Sequence, residues 1–297
     1  MKIRFKTYKS AAILPAFAAL VIGQSIHHLN AATIIANFDG GDSTSIVDAW
    51  KGASGEGWAS AWGEAGNATG RTYSLKTTTP LHAGWGTYLE LQSTTSGNVL
   101  ATRKLVNDTS SATPENAINL AESYTISFSV RLESALPSSS NLLFFGTTGY
   151  TGGTNDECTW IVTANASGWN AGHANNGAVA TGKASLEAGV TYDIILDIHP
   201  AQKSFSFTIL GNNQLLYSSK TDGGLGGEPG FRNPSATNGG ASLVFGAGIN
   251  GTSGVTLSFD GLAISQVQES QVPEPATVAL AAGIAVFLGA YLSRKKR

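Results

Sequence analysis

The strongest restriction on this chain is a two-residue alternation of apolar and polar side chains. Tyr124, Ile126, Phe128, Val130 and Leu132 alternate with Thr125, Ser127, Ser129 and Arg131. Successive side chains on a strand point to opposite faces, so this pattern describes a strand with one buried and one wet face. Tyr192, Ile194, Leu196 and Ile198 alternate in the same way with Asp193, Ile195, Asp197 and His199. Phe205, Phe207 and Ile209, and then Val255, Leu257 and Phe259, repeat the pattern. Shorter apolar stretches at 73–76, 88–92, 99–105, 142–146, 159–164, 214–218 and 242–246 read as further strands. Gly, Ser, Asn and Asp separate them, the residues of turns. With 36 Gly in 297 residues and 13% charge, coiled coil and high-charge disorder are both excluded. Within the body only residues 114–122 are compatible with a short helix. A dozen strands in residues 33–265 predict an all-β fold, an antiparallel two-sheet sandwich. Residues 192–199, 203–210 and 214–218 read as a meander with turns at 200–202 and 211–213.

The two ends differ from this body. Lys2, Arg4, Lys6 and Lys9 precede the apolar run 11–23, and Asn30-Ala31-Ala32 offers small residues at its exit. That is the order of a secretory signal peptide over residues 1–32, which implies the Sec translocon and signal peptidase as partners. At the other end, a polar linker at 266–272 leads to Pro273-Glu274-Pro275, an apolar run at 276–292 and the closing cluster Arg294, Lys295, Lys296 and Arg297. Seventeen helical residues reach about 25 Å, the lower limit for crossing a bilayer. The basic cluster holds that terminus on the cytoplasmic side of the inner membrane. Between Thr33 and Val272 there are ten Lys and Arg against nineteen Asp and Glu, a net charge of −9. Without a basic stripe, nucleic-acid binding is excluded.

The Pro-Glu-Pro motif, the apolar helix and the basic end, in that order, resemble the PEP-CTERM sorting signal of exported proteins in Gram-negative bacteria that make extracellular polysaccharide. The resemblance covers residues 272–297. It implies recognition by an exosortase, a membrane-embedded cysteine transpeptidase, and removal of the tail after transient anchoring. The destination it implies is the cell envelope or the extracellular polysaccharide. The segment Gly55-Glu56-Gly57-Trp58-Ala59-Ser60-Ala61-Trp62 also resembles one that recurs near the N-terminus of such proteins. The strand Tyr-Thr-Ile-Ser-Phe-Ser-Val from Tyr124, the hairpin from Tyr192 and the closing strand from Val255 are similar to the jelly roll of the concanavalin-like (laminin-G-like) superfamily.

Candidate chemistry is sparse. Asp193 and Asp197 share a strand face with His199 but stand roughly 13 Å apart at about 3.3 Å per residue, too far to share a metal. They read as a solvated sheet face. Glu56 and Glu64 lie in a Gly-rich stretch, and no Gly-x-Ser-x-Gly elbow, His-Glu-x-x-His or Cys-x-x-Cys occurs. No catalytic residue and no cofactor is therefore assigned. Cys158 stands alone, so an internal disulfide is excluded. All six Trp fall between residues 50 and 169. Trp50, Trp58, Trp62 and Trp85 are candidates for stacking on sugar rings, with core packing as the alternative. In many jelly rolls the first and last strands hold a structural Ca²⁺. That resemblance makes Asp39 and Asp260 candidate ligands, against an ordinary Asp-Gly turn at Asp39. The sequence thus points to an exported, non-enzymatic surface or matrix protein. A carbohydrate-binding, lectin-like module is the alternative, and a glycan hydrolase or lyase a remote one.

Overall fold

The computed structural model of the chain describes residues 33–39, 50–52, 58–106, 118–147, 158–171, 180–221, 228–232, 242–251 and 254–266. The proposed signal segment 1–32 and the sorting tail with Pro273, Glu274, Pro275 and Arg294–Arg297 lie outside them. Among the described residues, no helix is long and apolar enough to cross a membrane.

The described residues form fifteen strands: β1 (Thr33–Ala36), β2 (Gly63–Ala65), β3 (Arg71–Lys76), β4 (Tyr88–Ser93), β5 (Gly97–Val106), β6 (Tyr124–Leu132), β7 (Asn141–Thr147), β8 (Cys158–Asn165), β9 (Gly168–Ala171), β10 (Ala180–Lys183), β11 (Thr191–His199), β12 (Ser204–Gly211), β13 (Gln214–Ser218), β14 (Ser242–Gly251) and β15 (Val255–Gln266). They make two antiparallel sheets. One runs β13-β12-β11-β6-β15-β4-β3, with β1 added beside β15; the other runs β10-β9-β8-β7-β14-β5-β2. Consecutive strands from β4 to β7 and from β13 to β15 cross between the sheets, the winding of a jelly roll. The all-β sandwich expected from the alternation is the fold observed, and strands β1 to β5 are built into the same two sheets as the rest. The edge strands β2 and β10, and β9 beside β10, are short and Gly-containing, too brief to show a period in the sequence. The helix-compatible stretch at 114–122 gives a turn where it is described, with Glu122 N–H donating to Asn119 O at 3.1 Å.

The core is the interleaved inner faces. Phe128 of β6 meets Phe144 of β7 at 5.0 Å between ring centres and Phe245 of β14 at 5.4 Å. Phe245 stacks on Phe259 of β15 across the layers at 5.9 Å. Each such ring contributes about 1.5–3 kcal/mol by leaving water. On β6 and β11 the expected apolar residues are the buried ones. The opposite face departs from expectation at one end: Ser129 and Arg131 are also buried. Their cover is the connection between β3 and β4, residues 77–87, which folds back over the sheet and creates the site described next.

Candidate functional site

The 77–87 connection is tied down along its length. Arg131 Nη2 donates to Thr79 O at 2.9 Å, and Tyr88 Oη donates to Thr78 O at 2.8 Å. Thr191 Oγ1 donates to Leu81 O at 3.1 Å, burying Leu81 against the sheet. At the far end, Thr87 N–H donates to Asp39 Oδ1 at 2.6 Å. Between these anchors a turn closed by Trp85 N–H on His82 O (3.1 Å) carries His82 and Trp85 over the sheet face.

Strand register supplies what lies beneath. Asp260, Ser129, Asp193 and Leu210 form one row across β15, β6, β11 and β12, and Ser127 pairs with Ile195 in a neighbouring row. Ser129 Oγ donates to Asp193 Oδ1 at 2.5 Å, and His82 Nε2 lies 2.7 Å from the same oxygen. A carboxylate accepts only, so Nε2 carries the hydrogen and donates to it. No described residue donates to Asp193 Oδ2. Between β6 and β15 the register shifts between Asp260 and Ala263, a bulge whose Gly261 has φ +67°. The Trp85 indole lies on this glycine: a Cβ there would come within 2.4 Å of the ring. The bulge therefore needs glycine twice, for its backbone and for the indole.

His82, Trp85, Ser127, Asp193, Ile195 and Asn213 line a cavity of about 500 Å³, within the range of small-ligand sites. Asn213 comes from the β12–β13 turn, where Asn212 and Asn213 both have positive φ, as a tight hairpin of matching twist requires. Trp85 is 38% exposed and meets the His82 ring edge-on at 4.5 Å. The lining thus combines an accessible indole with a carboxylate, hydroxyls and an amide.

Electrostatics split the carboxylates of this face. Burial pushes Asp260 up to about 6; the Asp39 carboxylate adds to the rise, while the Gly261 N–H and His82 oppose it. At Asp197 burial also raises the pKa, but Lys220 Nζ at 2.6 Å, with the hydroxyls of Thr125 and Ser206, outweighs it and holds the group below its ordinary value.

The candidate residues separate sharply. Trp50, Trp58 and Trp62 are buried, and the expectation that they reach a sugar is corrected by their packing. Trp50 stacks on Tyr73 at 4.8 Å. Trp58 donates from Nε1 to Ile35 O at 3.1 Å, and the Arg103 guanidinium stands 4.7 Å over its ring. Trp62 packs on Phe38 and edge-on to Phe259, both at 5.7 Å. The reason is that residues 58–62 run along β5 at the edge of its sheet, Trp58 bridging Leu105, and their large rings fill the space between the layers. Of the four, Trp85 alone presents its ring to solvent. Asp39 and Asp260 do come close enough to interact electrostatically, yet each has an Oδ1 committed to a backbone N–H. Among the described residues no group of three or more His, Cys, Asp or Glu converges as a metal site. Asp193, read from sequence as solvated, is instead the floor of the cavity. His82, Ser129 and Asn213 were not legible as site residues; the one local hint is a His three residues before a Trp in a Pro- and Gly-bounded loop.

No protein-family model and no curated protein matches the sequence. Solved structures with a similar architecture include a protein of unknown function from Shewanella oneidensis (16% identity, 81% of this chain and 88% of that one, TM-score 0.47). Peanut lectin is similar at 10% identity over 80% of this chain and all of its own length, with a TM-score of 0.42. A sialidase is similar at 14% identity and TM-score 0.46; the match takes in 80% of this chain but 19% of the sialidase. These are likenesses of architecture and carry no site residue across.

Proposed function

We propose that this chain is an exported carbohydrate-binding protein whose sugar site is the cavity under Trp85. One observation carries the reading: a ring 38% exposed, lying on Gly261, lines the same cavity as hydroxyl, amide and carboxylate groups. An indole offers an apolar plane for a sugar face, and acceptors and donors in the same lining take the hydroxyls.

Binding fits the polar groups better than catalysis does. A nucleophilic triad needs the acid on one imidazole nitrogen and the hydroxyl on the other. Here Asp193 and Ser129 (3.1 Å) both contact His82 Nε2, and Ser129 gives its hydrogen to Asp193. Glycoside cleavage needs two carboxylates facing one bond. Asp260 sits two strands from Asp193, about 10 Å away across the backbones, but it is 2% exposed and does not line the cavity.

Delivery rests on the two ends of the sequence: export through the Sec translocon, brief retention in the inner membrane, and release by an exosortase to the envelope or extracellular polysaccharide. A structural Ca²⁺ at Asp39 and Asp260 is not part of this reading. The test of the site is a glycan array probed with the full-length chain. Binding to a defined subset of glycans, lost in Trp85→Ala while the melting temperature holds, is the expected result. A Trp85→Ala chain that binds as the wild type does overturns it.

A further inference from the structure

The charge around the cavity restricts which sugar it takes. Both donors to Asp193, from His82 and Ser129, fall on Oδ1, leaving Oδ2 as an open acceptor on a side chain 21% exposed. Asp260 and Asp39 add negative charge just behind the indole, close enough to influence each other. Among the described residues that line the cavity there is no Lys or Arg. The cations nearby on this sheet face are already engaged: Arg131 by Glu133 at 2.9 Å and two loop carbonyls, and Lys220 by Asp197 at 2.6 Å. A carboxylated sugar brought under Trp85 would meet like charge with no guanidinium to receive it. A neutral sugar would give Oδ2 a hydroxyl. An amino sugar would give it an ammonium, and charge-assisted bonds of that kind are about twice as strong as neutral ones.

We infer that the cavity selects sugars bearing a free amino group, held as an ammonium on Asp193 Oδ2, over neutral sugars, and excludes carboxylated ones. This rests on the carbohydrate-binding reading above and names the class of glycan within it.

The test titrates the full-length chain, in a detergent without a sugar headgroup, with oligomers of glucosamine, N-acetylglucosamine and galacturonic acid. At low salt the glucosamine oligomer is expected to bind about tenfold tighter than its N-acetylated counterpart, the difference between a charged and a neutral hydrogen bond. The galacturonate oligomer is expected to show no binding. Raising the salt to about 0.5 M should narrow the preference, since charges at a partly open site are screened. Asp193→Asn keeps the Oδ1 acceptor for His82 and Ser129, and should bring the amino and N-acetyl oligomers level without abolishing either. Equal binding of amino and N-acetyl oligomers by the wild type overturns the charge preference alone. So does tight binding of the acidic oligomer, or a preference indifferent to salt, which needs no variant to fold. Failure of all three oligomers to bind overturns the preference and the sugar site together.

Discussion

Two stretches of this molecule carry the same side chain to opposite ends. Residues 50–62 hold Trp50, Trp58 and Trp62, and residues 77–87 hold Trp85. Both run between strands, and both are rich in small residues. From the first stretch Trp62 enters the sandwich and reaches the rings of Phe38, Phe245 and Phe259, and Arg103 lies over Trp58 and Trp62. The second lies across an outer face, fastened at both ends by backbone carbonyls and one carboxylate. What separates them is the surface each one meets. The open edge of a sandwich accepts whole rings between its layers, whereas a sheet face already paired accepts only a covering layer, and the outermost ring of that layer stays in contact with water. An aromatic cluster in a sequence is therefore no guide to which ring meets a ligand.

This contrast can be broken most decisively at Trp62. Trp62→Ala leaves a cavity amid three aromatic neighbours, and unfolding in denaturant should show a loss of about 3–5 kcal/mol. Trp85→Ala should cost less than about 1 kcal/mol by the same measurement. Its effect belongs to binding: an exposed aromatic anchor contributes about 2 kcal/mol or more, so sugar affinity measured by calorimetry should fall at least about thirtyfold. A large stability loss in Trp85→Ala, or intact binding, would dissolve the distinction between the two regions.

Gly261→Ala sharpens the comparison from beneath the indole. The added Cβ would sit 2.4 Å from the Trp85 ring, on a backbone with φ +67°. A loss of about 1–2 kcal/mol is expected, together with a displaced Trp85 whose fluorescence emission moves to the red. The smallest effect is at Asp260. Its pKa is raised from 3.8 to about 6, chiefly by burial and further by Asp39. The folded chain thus holds this proton more tightly than the unfolded chain. Its contribution is fully present below about pH 4 and is lost as pH rises through about 6. Asp260→Asn carries no charge to bury and keeps an acceptor for the Gly261 N–H. It should stabilise the protein by about 1 kcal/mol at pH 7.5, after allowance for solvent screening, and have little effect near pH 4.5. Thermal melts at the two pH values check it. A variant less stable at pH 7.5 would mean that the carboxylate is held by something other than burial.

Much of the architecture was written in the residues themselves. The period of two in residues 124–132 and 192–199 assigned inner and outer faces correctly, because alternation is a property of the local backbone and needs no partner. The turn at 211–213 was equally local, since Asn tolerates the positive φ found at Asn212 and Asn213. The short strands β2, β9 and β10 escaped notice because three or four residues cannot display a period. The site is a different matter. His82 and Asp193 are 111 positions apart, and Ser129 and Asp193 are 64 apart. Their meeting depends on which strands pair, in what register, and on a connection folding back over the face they share. Face and turn are decided within a few residues of chain, so composition and order suffice for them. Burial, charge environment and the company a side chain keeps are decided by packing between distant segments. Only the assembled sandwich selected Trp85 from six tryptophans and turned a wet-looking Asp193 into the floor of a cavity.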